Sequence, residues 1–183
     1  LSSWNVGVTN FQLRNMSDPN DYGHPDTYEG DNWVDITDLD FDNGGVHINS
    51  GVQNYWFYLL SEGGSGVNDN GAAYDVDGIG IEAAEEIAFR NLIVYLGNQS
   101  TYEDAYEGSV EAASDLFGAC SEEVRQVLKA WYAVGIGVSD LSKDVAVKGV
   151  TLPESSCYLS ANETAEIMIK YQNVGCNEVL PSG

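Results

Sequence analysis

Apolar residues recur at three- and four-residue intervals in four stretches of the chain. Val52, Tyr55, Trp56, Leu59 and Leu60 make the first, a spacing that buries one stripe of a helix. Ala84, Ile87, Ala88, Leu92 and Tyr95 share one face of a second helix, expected over 81–96. Two further helical patterns, 102–117 and 122–134, follow Ser100 and Ser121, candidate N-caps with acids in the first turn. Gly97 and Gly118 are candidate C-terminal stops. Four such helices pack most simply as a bundle-like core, so the expected fold class is mainly α.

The pattern changes after Gly137. Residues 145–150 (VAVKGV) and 166–171 (EIMIKY) read as strands on either side of a Pro153 turn. Two strands cannot close a sandwich, so the chain is expected to stop inside a second, β-type domain. The expected organisation is a helical domain over 1–137, a linker over 138–144 and the start of a β domain over 145–183. Residues 1–12, around Trp4 and Phe11, lack periodicity and read as loop. The acidic segment 22–41 and the Gly-rich segment 63–78 read as surface connections.

Charge narrows the function classes. The 183 residues carry a formal net charge of -22, which repels nucleic acid and anionic membranes. No apolar run is long enough to span a bilayer, and no secretory leader is recognisable. Low lysine with abundant Asp, Asn, Gly and Tyr fits a secreted bacterial protein. The three cysteines, Cys120, Cys157 and Cys176, have no zinc-ligand spacing. Cys157 and Cys176 could pair in an oxidising compartment, or all three could be inert thiols.

Candidate chemistry gathers around the stretch Asp42-Asn43-Gly44-Gly45-Val46-His47. A turn of residues tolerant of left-handed backbone precedes His47, and a buried helix follows it. The imidazole is therefore either aimed by a rigid support or simply capped at a helix start. Arg14, beside the Asp18-Pro19 turn signal, suits bidentate recognition of a carbonyl or carboxylate, or serves as a structural ion pair. Asp38, Asp40 and Asp42 alternate as in the first half of an EF-hand loop. Asn43 and Asn49 stand where that loop needs Gly and Glu, so an EF-hand is rejected and only a weak calcium reading remains.

Longer motifs carry a resemblance. RNMSDP (14–19), YGHPD (22–26), DNGGVHINSGVQNYWFYLL (42–60), GIG (78–80), AFRNL (88–92), Tyr95-Leu96, AASDLFG (112–118) and AWYAVG (130–135) occur in order. Together they resemble the C-terminal half of the catalytic domain of thermolysin-like zinc metallopeptidases, over roughly residues 4–137. The tail is similar to the opening of Ig-like adhesion or sorting modules that follow peptidase domains in secreted bacterial proteins.

The resemblance implies roles. His47 matches a catalytic histidine that hydrogen-bonds the developing oxyanion, and Asp42 the acid that orients and charges it. Arg14 matches the arginine that binds the carbonyl after the scissile bond, and Leu13 a wall of the neighbouring apolar pocket. The family binds zinc through an HExxH helix and a following glutamate. This sequence has no HExxH, and no zinc ligands are assigned to it. Asn5 and Val8 stand where acidic calcium ligands are expected, which weakens any calcium site.

The expected function is thus the substrate-facing lobe of a secreted metalloendopeptidase acting on peptides or proteins, inactive without a zinc-bearing N-terminal lobe. A different class, an extracellular scaffold that self-associates through an open sheet edge, competes with it. A metal-independent peptide-binding module is a third reading.

Overall fold

The computed structural model describes residues 4–8, 11–137, 145–151 and 168–173. Two compact units divide the chain, Leu1–Asp140 and Leu141–Gly183.

In the first unit, β1 (Asn5–Val8) and β2 (Phe11–Asn15) form an antiparallel hairpin with Arg14 opposite Val6. Periodicity could not reveal it, because a short two-stranded ribbon with exposed side chains has no buried face to alternate. A 3-10 turn (Pro19–Tyr22) and a long loop lead to a single helical turn, α1 (Asp42–Gly45). The helix α2 (Gly51–Glu62) runs directly into β3 (Gly63–Val67), which pairs antiparallel with β4 (Ala73–Asp77). The expected surface connection over 63–78 is therefore a hairpin.

Helices α3 (Ile81–Arg90), α4 (Tyr102–Phe117) and α5 (Glu122–Ala133) complete the unit. The mainly helical class expected from periodicity is the one observed. Val52, Trp56, Leu59 and Leu60 of α2 are buried against Ala84 and Ile87 of α3 and Val124, Val127, Leu128 and Trp131 of α5. Fully burying each large aliphatic side chain is worth about 1.5–3 kcal/mol. Trp56 and Trp131 stack at the centre with ring centroids 4.7 Å apart. The Trp131 indole N–H donates to Ser109 Oγ at 2.7 Å, so this buried donor is satisfied from α4.

Helix ends follow their caps. Thr101, rather than Ser100, caps α4 in a reciprocal capping box with Asp104. Ser121 Oγ accepts from Val124 N at the start of α5. Asn68, in the β3–β4 turn, donates to the carbonyls of Tyr132 and Ala133 and so closes the end of that helix. Gln126 is fully buried on α5, where it accepts from Asp77 N at 2.8 Å and ties the second hairpin to the core.

The second expected helix departs from its pattern. After Arg90 the chain widens into a π turn, Asn91–Tyr95, which rotates the following residues relative to an ideal helix. Asn91 is buried and donates to Ala105 O at 2.9 Å, whereas Leu92 is 62% exposed. Gly108 makes this approach of α4 possible, since a Cβ there would collide with Asn91 Oδ1.

In the second unit, β5 (Val145–Thr151) and β6 (Met168–Asn173) pair antiparallel, from Val145 opposite Asn173 to Thr151 opposite Met168, with an irregularity at Lys148. The first strand lies where it was expected, while the second, expected over 166–171, is described over Met168–Asn173. Cys157, Cys176 and the Pro153 turn lie outside the described residues, and Cys120 is an exposed free thiol. No helix among the described residues is long and apolar enough to cross a membrane.

Candidate active site

Four consecutive residues, Asp42, Asn43, Gly44 and Gly45, have φ of 50°, 50°, 78° and 76°. The turn α1 is therefore left-handed, a conformation that Gly adopts freely and Asp and Asn tolerate best among the other residues. Its tightness is set from outside as well. A Cβ on Gly44 would lie 2.6 Å from the Ile36 carbonyl oxygen, and one on Gly45 would lie 2.6 Å from the Val34 side chain.

The turn aims Asp42 at the segment that follows it. One carboxylate oxygen accepts the backbone N–H groups of His47 (2.9 Å) and Ile48 (3.1 Å), and the other lies 2.6 Å from His47 Nδ1. The side-chain bond from His47, and after it the two backbone N–H bonds, holds the Asp42 carboxyl below the usual carboxylate range. An ionised carboxylate only accepts, so His47 Nδ1 carries the hydrogen and Nε2 faces away from Asp42. The His47 side chain is 74% exposed, against 18% for Asp42. The imidazole is thus a presented group on a fixed mount.

Arg14 reaches the same place from the first hairpin. Trp4 anchors that hairpin on α2 through edge-to-face contacts with Tyr58 (5.3 Å) and Phe57 (6.0 Å), and Met16 N donates to Trp4 O. Arg14 Nη1 donates to Ser50 Oγ at 3.1 Å, and Ser50 Oγ donates to the His47 carbonyl at 2.7 Å. One serine therefore links the guanidinium to the histidine's backbone. Leu13, next to Arg14, is half exposed.

Sequence reasoning singled out His47, Asp42, Arg14 and Leu13 and missed three neighbours. Ser50 is the link just described. Asn49 Oδ1 accepts from Val34 N and its Nδ2 donates to Val34 O, while its own carbonyl accepts the Tyr102 hydroxyl. His24 packs where a Cβ on Gly51 would meet its own Cβ at 2.9 Å, and burial and then Arg14 lower its pKa while Asp42 opposes them. Asn49 and Ser50 stand in the sequence only as two polar residues before α2, with nothing to mark their contacts. Only the fold brings His24 close.

No group of three His, Cys, Asp or Glu among the described residues converges on a point that could hold a metal ion. The alternating Asp38, Asp40 and Asp42 do not make a calcium cluster, because Asp42 is turned onto His47 and Ile48. Among the described residues, none fit a zinc centre.

Residues 2–136 match the family of the thermolysin metallopeptidase alpha-helical domain. The chain belongs to this family. It is 42% identical over 132 residues to the thermostable neutral protease NprT of Geobacillus stearothermophilus, covering 71% of this chain and 22% of that protein. Thermolysin of Alicyclobacillus acidocaldarius subsp. acidocaldarius matches to the same extent. Neutral protease B of Bacillus subtilis is 40% identical over 132 residues, with the same shares. The chain therefore spans 22% of the length of these relatives. The matched region contains the thermolysin-family helices and the whole Asp42–His47–Ser50–Arg14 linkage.

Proposed function

We propose that this chain is the substrate-facing, mainly helical lobe of a secreted, extracellular thermolysin-like zinc metalloendopeptidase. The observation that carries the reading is the continuous linkage from Asp42 through His47 and Ser50 to Arg14. It joins an exposed imidazole, backed by a carboxylate, to a guanidinium, and family membership gives that set a hydrolytic context.

In peptide hydrolysis, negative charge builds on the carbonyl oxygen as water adds. His47, its Nδ1 hydrogen held by Asp42, donates from a protonated Nε2 to that oxygen. Arg14 donates to the carbonyl following the scissile bond, and Leu13 forms part of the apolar wall beside it. The described residues offer no metal-ligand set, so no step is assigned to a metal, and on this reading the lobe by itself is inactive. Activity needs the zinc-bearing part of the family, in the same polypeptide or as a docked fragment. Residues 1–137 constitute the peptidase lobe, 138–144 a linker and 145–183 the start of an Ig-like module.

Native mass spectrometry with zinc analysis on the same purified sample tests this. The expected result is an HExxH-bearing polypeptide, continuous with this lobe or bound to it, with about one zinc per assembly. Copies of this chain alone, without zinc, would overturn the peptidase reading and favour a self-assembling scaffold built through the open edges of the β5–β6 pair.

A further inference from the structure

The loop that leads into the left-handed turn presents large apolar side chains to solvent. Ile36, Leu39 and Phe41 are 63%, 70% and 54% exposed, and Val46, just beyond the turn, is also exposed. A loop free to rearrange would fold such groups inward, but this one is pinned. Asp35 Oδ1 accepts both the backbone N–H and the hydroxyl of Thr37 at 2.8 Å. Asp38 N donates to Asp35 O, Phe41 N to Asp38 O, and Gly44 N to both Asp38 O and Phe41 O. The apolar groups are therefore held out on the same backbone that mounts Asp42 and His47. Exposed apolar groups fixed beside a functional site mark a binding surface.

Charge says what that surface takes. The chain has no lysine or arginine between Arg14 and Arg90, while Asp35, Asp38 and Asp40 punctuate the loop. Asp35 is spent on Thr37, which leaves the exposed Asp38 and Asp40 to face a ligand's cation.

We propose that the Ile36–Phe41 loop is an extended substrate-binding wall, selecting polypeptides that carry a large apolar side chain flanked by lysine or arginine, away from the scissile bond. The assignment rests on the peptidase reading and adds a substrate class to it. Apolar contact supplies the affinity, and the two aspartates select the charge.

The test uses the full-length, zinc-loaded peptidase and three synthetic substrates. Two are decapeptides identical around the scissile bond, with a distal Lys-Phe-Lys or Ser-Phe-Ser. The third is a blocked dipeptide too short to reach the loop. The expected preference for the lysine peptide is roughly fivefold in kcat/KM at low salt, the size of one or two screened charge pairs, and it fades at high salt. The doubly substituted Asp38→Asn/Asp40→Asn enzyme should lose the preference. Leu39→Ser should lower kcat/KM for both decapeptides by about tenfold, with the dipeptide rate reporting an intact centre. Equal decapeptide ratios in wild type and variants, with the dipeptide still cleaved, would overturn the loop's role alone. An enzyme that cleaves none of the three would overturn the peptidase reading and this one with it.

Discussion

Asp42 holds His47 at two points, taking the backbone N–H with one carboxylate oxygen and lying 2.6 Å from the ring Nδ1 with the other. Position and tautomer of the imidazole are fixed by a single side chain. Under the proposed peptidase function, replacing His47 tests the reaction and replacing Asp42 tests its mount. In the assembled enzyme, His47→Ala should lower kcat by about 10²–10³-fold with little change in KM, as expected for a lost oxyanion donor. Steady-state kinetics on a peptide substrate checks this, and a rise in KM at unchanged kcat would contradict it.

The same contact makes stability depend on acid. The folded-state pKa of Asp42 is depressed, chiefly by the hydrogen bond from His47. Its stabilisation is therefore fully present above the unfolded carboxyl value and is lost as pH falls through the folded one. Asp42→Asn, which tolerates the left-handed backbone, removes this titration. Denaturant unfolding measured from neutral pH down to pH about 3 should show wild type losing more stability than the variant. Parallel curves would mean that Asp42 does not contribute.

Ser50 provides a separate test of the linkage. Ser50→Ala removes the acceptor for Arg14 Nη1 and the donor to the His47 carbonyl. In the role proposed for Arg14, its guanidinium should then wander from the substrate carbonyl, raising KM by about tenfold, roughly the worth of one hydrogen bond to a charged group. The circular dichroism spectrum should be unchanged. If KM stays constant, Arg14 is held by other means.

Two glycines separate backbone strain from steric clash. Gly23 is left-handed, with φ of 70° and ψ of 22°, and has open space where a Cβ would go, whereas Gly44, at φ 78°, faces the Ile36 carbonyl at 2.6 Å. Gly23→Ala should cost about 1–2 kcal/mol from left-handed strain alone. Gly44→Ala should cost more, and it should also lower activity by shifting Asp42. Equal losses in thermal unfolding would show that the loop carrying Ile36 gives way freely.

Buried stripes make most of the helical lobe legible in the sequence itself. Val52, Trp56, Leu59 and Leu60 declared α2 because each faces the core, and Ser121 declared the start of α5 by its side-chain oxygen. Leu92 misled, since a π turn leaves composition untouched while rotating the face. The β1–β2 hairpin stayed hidden because its strands are short and mostly exposed, and the β3–β4 hairpin because β3 is glycine-rich, although Tyr74 and Val76 of β4 do alternate with exposed Ala73, Asp75 and Asp77. His47, Asp42 and Arg14 were visible as residue types in telling places. Ser50 and His24 were not, because their importance lies in contacts that only the packing of the hairpin and α2 creates.

The left-handed turn has a further consequence for how this protein can vary. At Asn43, Gly44 and Gly45 the backbone alone decides which side chains are admissible, at Asp42 the backbone and the carboxylate's hold on His47 decide together, and β-branched residues are barred throughout. Random substitution there samples a very small alphabet. The site is accordingly brittle at its mount and permissive at its rim, where the loop before Asp42 can exchange side chains without disturbing the imidazole. Under the proposed function, drift in what is cut should outpace drift in how it is cut.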